Sequence, residues 1–202
     1  MSIPLLLREG FITERCCAYC YKTGVPLSRC GRCNKRTFCS PEYQRLDWKT
    51  VGHKHWCGVA GEIGHDYEVR DVGDGKGFGI FALRDFSKND KIMAERPILR
   101  APFLQQAPAS ARDAVAALVP HGGSLEEKIG RNSMACDDSA DGSNGGLFII
   151  MSRVTHDCLG NSIHHFSDRL QVKILVASKA ILAGEEIAFS YEPRTSTNRR
   201  QR

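Results

Sequence analysis

Cys16-Cys17-Ala18-Tyr19-Cys20, then Cys30-Gly31-Arg32-Cys33, Cys39 and His53-Lys54-His55-Trp56-Cys57: the run from 16 to 57 decides how the N-terminal part of this chain folds. Seven of the nine cysteines fall in it. A Cys-x2-Cys turn delivers two thiolates to one tetrahedral metal ion, and a second pair elsewhere completes the shell. Two such pairs followed by His-x3-Cys are how a short, core-poor segment folds around zinc. A disulfide framework is the competing reading. An odd number of cysteines and the lack of a signal peptide argue against it.

The remainder is large enough for a second, ordinary core. The chain has 202 residues, 42% of them hydrophobic, which suits a medium domain beside a small one. No apolar run reaches the ~20 residues of a membrane span. Pro4-Leu5-Leu6-Leu7 is too short for a secretory core. The expectation is therefore no membrane, no secretion, and a reducing home in the nucleus and/or cytoplasm. Net charge is +5 but uneven. Residues 1–60 hold ten Lys and Arg against four Asp and Glu, and residues 61–193 hold fourteen against nineteen. A basic finger beside an acidic larger domain suits a Lys- and Arg-rich partner, or is simply solvated surface.

Beyond residue 65 the pattern is of short strands. Glu68–Val72 alternates, glycines recur at 73, 75, 77 and 79, and Ile80-Phe81-Ala82-Leu83 follows. That reads as strand, glycine turn, strand. Lys91–Glu95, Gln171–Ala177 and Ile187–Tyr191 read as further strands, and 147–151 as a buried run. Residues 107–119 are Ala-rich and helical in propensity. Asp137 to Gly146 reads as a mobile loop of Asp, Ser, Gly and Asn. The fold expected is mostly β with short helices (α+β). Its divisions are an N-terminal extension over 1–14, a zinc finger over 15–58, a β-rich domain over 65–193 and a basic tail over 194–202.

The finger resembles the MYND zinc finger. Cys39-Ser40-Pro41-Glu42-Tyr43-Gln44-Arg45-Leu46-Asp47-Trp48 and His53-x3-Cys57 carry the likeness. The resemblance implies two zinc sites and docking of proline-containing peptides. One site takes Cys30, Cys33, His53 and Cys57 and is complete. The other takes Cys17, Cys20 and Cys39, with Tyr43 where the family has Cys. A phenol of pKa about 10 is a poor zinc ligand near neutral pH. Water or Cys16 is left to supply the fourth donor, or that half holds no metal. Trp48 reads as packing and His55 as surface.

The larger part resembles the SET domain. Gly75-Lys76-Gly77-Phe78-Gly79-Ile80-Phe81-Ala82, Ser152-Arg153-Val154-Thr155-His156-Asp157-Cys158-Leu159-Gly160-Asn161 and Gly184-Glu185-Glu186-Ile187-Ala188-Phe189-Ser190-Tyr191 are similar to its three motifs, in its order. Together with the finger they resemble MYND- and SET-containing protein-lysine methyltransferases. The resemblance implies a knot-like C-terminal threading, with Asn161 at the crossing. It also implies methyl transfer from S-adenosylmethionine to a lysine of a histone or other protein. Tyr191 takes the catalytic place. Lys76, Gly77, Asn132, Ser152, Thr155 and His156 take cofactor-contacting places.

The departures define an alternative. Thr155 stands for Asn, Asp157 for Ser and Gly160 for Pro. Losing one amide hydrogen bond costs on the order of 1 kcal/mol, so Thr155 is expected to weaken cofactor binding about tenfold. In relatives the counterpart of Cys158 joins three further cysteines on a zinc after the domain. Here the residues after Tyr191 contain no Cys, which reads as truncation or loss of that lid. The alternative is a catalytically degenerate scaffold acting as a zinc-finger adaptor. Specific nucleic-acid recognition is not expected, since only charge speaks for it.

Overall fold

The computed structural model describes residues 11–12, 16–22, 24–73, 77–100, 115, 118, 123–136 and 145–191. β1 (Phe11–Ile12) precedes the finger and pairs with a strand of the larger part, and within the finger β2 (Ser28–Arg29) pairs antiparallel with β3 (Thr37–Phe38). Helix α1 (Pro41–Leu46) starts where Ser40 Oγ accepts the Tyr43 N–H and Pro41 fills the first turn. A wider turn over Asp47–Val51 ends at Gly52, whose φ of 94° lies in the left-handed region that glycine takes without strain.

The larger part follows as β4 (Tyr67–Asp71), β5 (Phe78–Ala82), β6 (Lys91–Glu95), β7 (Leu99–Arg100), α2 (Leu125–Asn132), β8 (Ser133–Ala135), β9 (Gly145–Leu147), β10 (Thr155–His156), β11 (Ser162–Ser167), β12 (Val172–Ala177) and β13 (Glu186–Phe189). Helix α2 opens on a capping box between Ser124 and Glu127. The strands form one five-stranded sheet in the order β1-β4-β5-β13-β10. Two three-stranded sheets, β11-β12-β6 and β7-β9-β8, accompany it. The mostly β architecture with short helices is as expected. The helix expected over 107–119 lies outside the described residues except Val115 and Leu118, both buried.

One expectation fails within the described residues. Gly145 and Gly146 belong to β9, not to a loop. A Cβ on Gly146 would lie 2.5 Å from Cys136 Sγ and 2.8 Å from Pro97 Cβ. Glycine is used there for close approach of neighbouring chain, which composition alone reads as a turn.

The main core gathers Val69, Ile80, Ile92, Met93, Leu147, Phe148, Met151, Leu175 and Ile187, all at most 1% exposed. The apolar run 147–151 is buried throughout, as expected. A smaller cluster joins the finger to the larger part: Trp56 and Ala60 pack on Val172 and Ile174 of β12. Buried charges tie the same junction. Arg36 bonds both Asp47 oxygens at 2.9 Å and Glu62 Oε2 at 2.9 Å. Asp66 accepts from Lys35 at 2.9 Å, from Arg84 at 2.6 Å and from the Glu62 N–H at 2.9 Å. Part of the charge asymmetry read from the sequence is thus consumed inside the molecule.

Candidate active site and zinc-binding finger

Strand β13 and the segment 155–162 form the frame of the site. Thr155 and His156 of β10 pair in parallel with Ala188 and Phe189 of β13, while β5 pairs on the strand's other side. The Asn161 amide bridges β13 lengthwise. Its Nδ2 donates to Glu186 O at 2.8 Å, and its Oδ1 accepts the Ala188 N–H at 3.0 Å. Ser162 Oγ donates to Ala188 O at 2.8 Å. Gly160 lies so close that a Cβ would come within 2.6 Å of Ala188 O. No proline fits that backbone, which gives the substitution noted in the sequence a physical reason.

A second device shapes the turn carrying Ser152. The Glu95 carboxylate, 9% exposed at the end of β6, accepts three successive backbone N–H groups. They come from Ile149 at 2.8 Å, Ile150 at 3.0 Å and Met151 at 2.7 Å. Burial pushes the Glu95 carboxyl up, and those three donors oppose it. Nothing in the sequence reading singled out Glu95. A carboxylate closing an otherwise apolar strand is the only local signal it offers.

Between these devices lies a cavity of about 310 Å³. Asn132, Ser152 and Tyr191 line it, together with His164, Phe189 and Met134. Three of the sequence-derived candidates therefore converge. Asn132 closes α2, 5% exposed, with its Nδ2 donating to Lys128 O at 2.7 Å. Tyr191 follows β13. Its hydroxyl donates to Val154 O, and its backbone N–H donates to His156 Nδ1 at 2.9 Å. Burial pushes the phenol above its usual pKa of 10.0, so it stays protonated near neutral pH. His156 packs edge-on to Tyr191 at 5.1 Å. With Nδ1 accepting, a neutral His156 carries its proton on Nε2, which faces Cys158 Sγ at 3.2 Å.

The other candidates stand apart from the cavity wall. Thr155 Oγ1 donates to Glu186 Oε1 at 2.7 Å. Gly77 ends the glycine turn with φ 84°, its carbonyl accepting the Val72 N–H at 2.8 Å. Lys76 lies outside the described residues. His164 was missed by the sequence reading because Ser162-Ile163-His164-His165-Phe166 inverts the usual pattern. Ile163 is 43% exposed, while His164 faces the cavity and meets Phe189 edge-on at 4.5 Å. Burial, helped by Lys173 and His165, pushes its pKa down to about 4, so it is neutral at pH 7.

The finger brings its donors into two groups. Cys30, Cys33, His53 and Cys57 have ligand atoms mutually within 4.8 Å, as do Cys17, Cys20 and Cys39. Sulfurs about 2.3 Å from a tetrahedral zinc lie about 3.8 Å apart. Cys30 and Cys57 sulfurs are 3.8 Å apart and Cys20 and Cys39 sulfurs 3.6 Å. Cys33 Sγ lies 3.8 Å from His53 Nε2. The four-donor group fits a closed zinc site. His53 Nδ1 lies 3.4 Å from Asp47 Oδ2 without a formed hydrogen bond, so the carboxylate is near the imidazole but does not clamp it. Among the described residues no further Cys, His, Asp or Glu completes the three-donor group. Cys16 does not: its side chain is 1% exposed in the main core, where burial pushes the thiol up to about 12. None of the nine cysteines, all among the described residues, is in a disulfide, so the disulfide reading fails. Trp48 packs partly buried against the Cys30–Phe38–Cys57 cluster, and His55 is exposed, both as expected.

The SET domain family matches residues 77–192, and the MYND finger family matches residues 17–57. The chain belongs to the SET-domain family and carries a MYND finger ahead of that domain. It is 28% identical over 130 residues to the histone-lysine N-methyltransferase set5 of Schizosaccharomyces pombe, a match covering 57% of this chain and 39% of that protein. It is 41% identical over 56 residues to programmed cell death protein 2 of Bos taurus, covering 28% of this chain and 14% of that protein. The matched stretch is thus well under half the length of either curated relative. A solved Plasmodium falciparum structure, named for a histone methyltransferase, shares 15% identity over 65% of this chain and 96% of its own, with a TM-score of 0.41.

Proposed function

We propose that the chain is an S-adenosylmethionine-dependent protein-lysine N-methyltransferase. The observation that carries this reading is the convergence of Asn132, Ser152 and Tyr191, from three separate segments, on one cavity of about 310 Å³. That volume is at the lower end of what small-ligand sites use. Asn132 and Ser152 would hold the cofactor, with Lys76, Gly77, Thr155 and His156 completing the set by their place in the motifs. When bound, S-adenosylmethionine supplies an electrophilic methyl group on a sulfonium.

The chain's own residues would prepare the lysine. Its ε-amine must be neutral to attack, and a desolvated channel disfavours the ammonium form. The neutral His164 and the protonated Tyr191 add no ionised group to their side of the cavity. Because the Tyr191 hydroxyl gives its proton to Val154 O, its lone pairs are free to accept an amine N–H and orient the nitrogen. The finger would dock a proline-containing peptide, and the protein would work in the nucleus or cytosol, where free thiols persist.

The test is methyl transfer from labelled cofactor to histones, with calorimetric cofactor binding measured in parallel. Tyr191→Phe removes the acceptor that orients the amine and is expected to lower turnover by about 10²-fold with cofactor affinity retained. A chain without cofactor affinity would overturn the enzyme reading and leave the adaptor role.

A further inference from the structure

The two metal-binding groups of the finger differ in a way that has chemical consequences. In the four-donor group Cys30, His53 and Cys57 are buried, and its four donors would close a zinc shell from the chain alone. In the other group Cys17 is buried but Cys20 and Cys39 are only half-buried. Among the described residues no other Cys, His, Asp or Glu joins it. Position 43 lies four residues beyond Cys39, one helical turn along α1, and the Ser40 cap fixes its backbone. Its occupant is a phenol that stays protonated near neutral pH, and its ring lies against Tyr19 at 5.0 Å and 25°.

We propose that Cys17, Cys20 and Cys39 form an open three-thiolate zinc centre whose fourth position takes a thiolate from outside the chain. Zinc without a fourth protein ligand keeps an exchangeable one, normally water. Sulfur donors match a zinc already held by sulfur. The exchange is a substitution without electron transfer. Water leaves the metal, the incoming thiol binds through sulfur, and its proton passes to solvent. The half-buried side formed by Cys20 and Cys39 is the approach, with Tyr19 and Tyr43 beside it. The incoming thiolate belongs either to a small thiol or to a cysteine of another protein. This centre is independent of the methyl-transfer reading.

The experiment uses the full chain loaded with cobalt(II), whose visible absorption reports donor set and coordination number. Two equivalents are expected to bind. Adding 2-mercaptoethanol is expected to shift the absorption of one equivalent only, and saturably. Tyr43→Cys is expected to abolish that shift, keep both equivalents and slow metal removal by a chelator. Tyr43→Ala, which supplies no ligand, is expected to keep the shift and guards against a folding artefact in the first variant. A cysteine-containing peptide forms the second arm. Saturation at much lower peptide than 2-mercaptoethanol concentration assigns the ligand to a protein, and similar concentrations assign it to a small thiol. Binding of a single equivalent, or two equivalents with no thiol response, would overturn the proposal.

Discussion

Replacing Asn161 by Ala probes how β13 is held. The side chain makes two hydrogen bonds to that strand, 2.8 Å to Glu186 O and 3.0 Å from the Ala188 N–H. Each contributes about 1 kcal/mol net, and each backbone group left without a partner in a buried setting adds a penalty of about 1–3 kcal/mol. Ala188 is 8% exposed, so its N–H pays most of that penalty, whereas Glu186 is only partly buried and water can reach it. The expected loss is about 2–4 kcal/mol, which in a chain of this size lowers the melting temperature by roughly 5–15 °C. Asn161→Asp keeps the acceptor for Ala188 but sets a carboxylate oxygen against the Glu186 carbonyl, so it is expected to keep the Ala188 amide protected while still destabilising the chain. Urea unfolding followed by circular dichroism measures both variants, and amide exchange reports Ala188 directly. A loss below about 1 kcal/mol in Asn161→Ala, or unchanged protection of the Ala188 amide, would refute the reasoning.

Other expectations follow from the junction and from the Ser152 turn. Arg36→Ala leaves Asp47 and Glu62 buried without their cation and is expected to cost about 3–5 kcal/mol by denaturant unfolding. Burial pushes Asp66 up, but hydrogen bonds from Arg84, Lys35 and the Glu62 N–H outweigh it and hold the carboxyl below 3.8. Its contribution is therefore fully present above the unfolded value and is lost as pH falls through the lower folded one. Stability measured from pH 6 downward should fall less steeply in Asp66→Asn than in the parent chain. Glu95→Gln sets an amide N–H₂ against one of the three backbone donors, with an expected cost of about 1–3 kcal/mol. Cofactor affinity should weaken with it, since Ser152 sits on that turn; calorimetry checks both.

The metal-binding donors were legible because zinc chemistry is local in sequence. A Cys-x2-Cys turn and a His-x3-Cys turn fix donor spacing before any tertiary contact forms. The strands around 67–71, 78–82, 91–95 and 172–177 were legible for a similar reason, since β-branched and aromatic residues bounded by glycine mark them. Two of the motifs carried Ser152 and Tyr191 to attention, and a family position between the motifs carried Asn132, but only by resemblance. No spacing in the chain says that residues 132, 152 and 191 share a cavity.

What the sequence determined by itself is therefore the chemistry available: thiolates and imidazole for zinc, a phenol at the end of the last motif, and enough apolar residues for a separate core. Tertiary structure decided which groups meet. It took Cys16 into the main core and out of the metal site, and it turned His164 toward the cavity against the apolar pattern of its strand. It also spent Glu95, Asp66 and Asn161 on holding backbone and junction in place. Apart from the Glu62 N–H on Asp66, the hydrogen-bond partners that hold Glu95, Asp66 and Asn161 lie 18 to 56 residues away in the chain. A local pattern carries no information about such partners, because burial and hydrogen bonding are properties of the folded neighbourhood rather than of the residue.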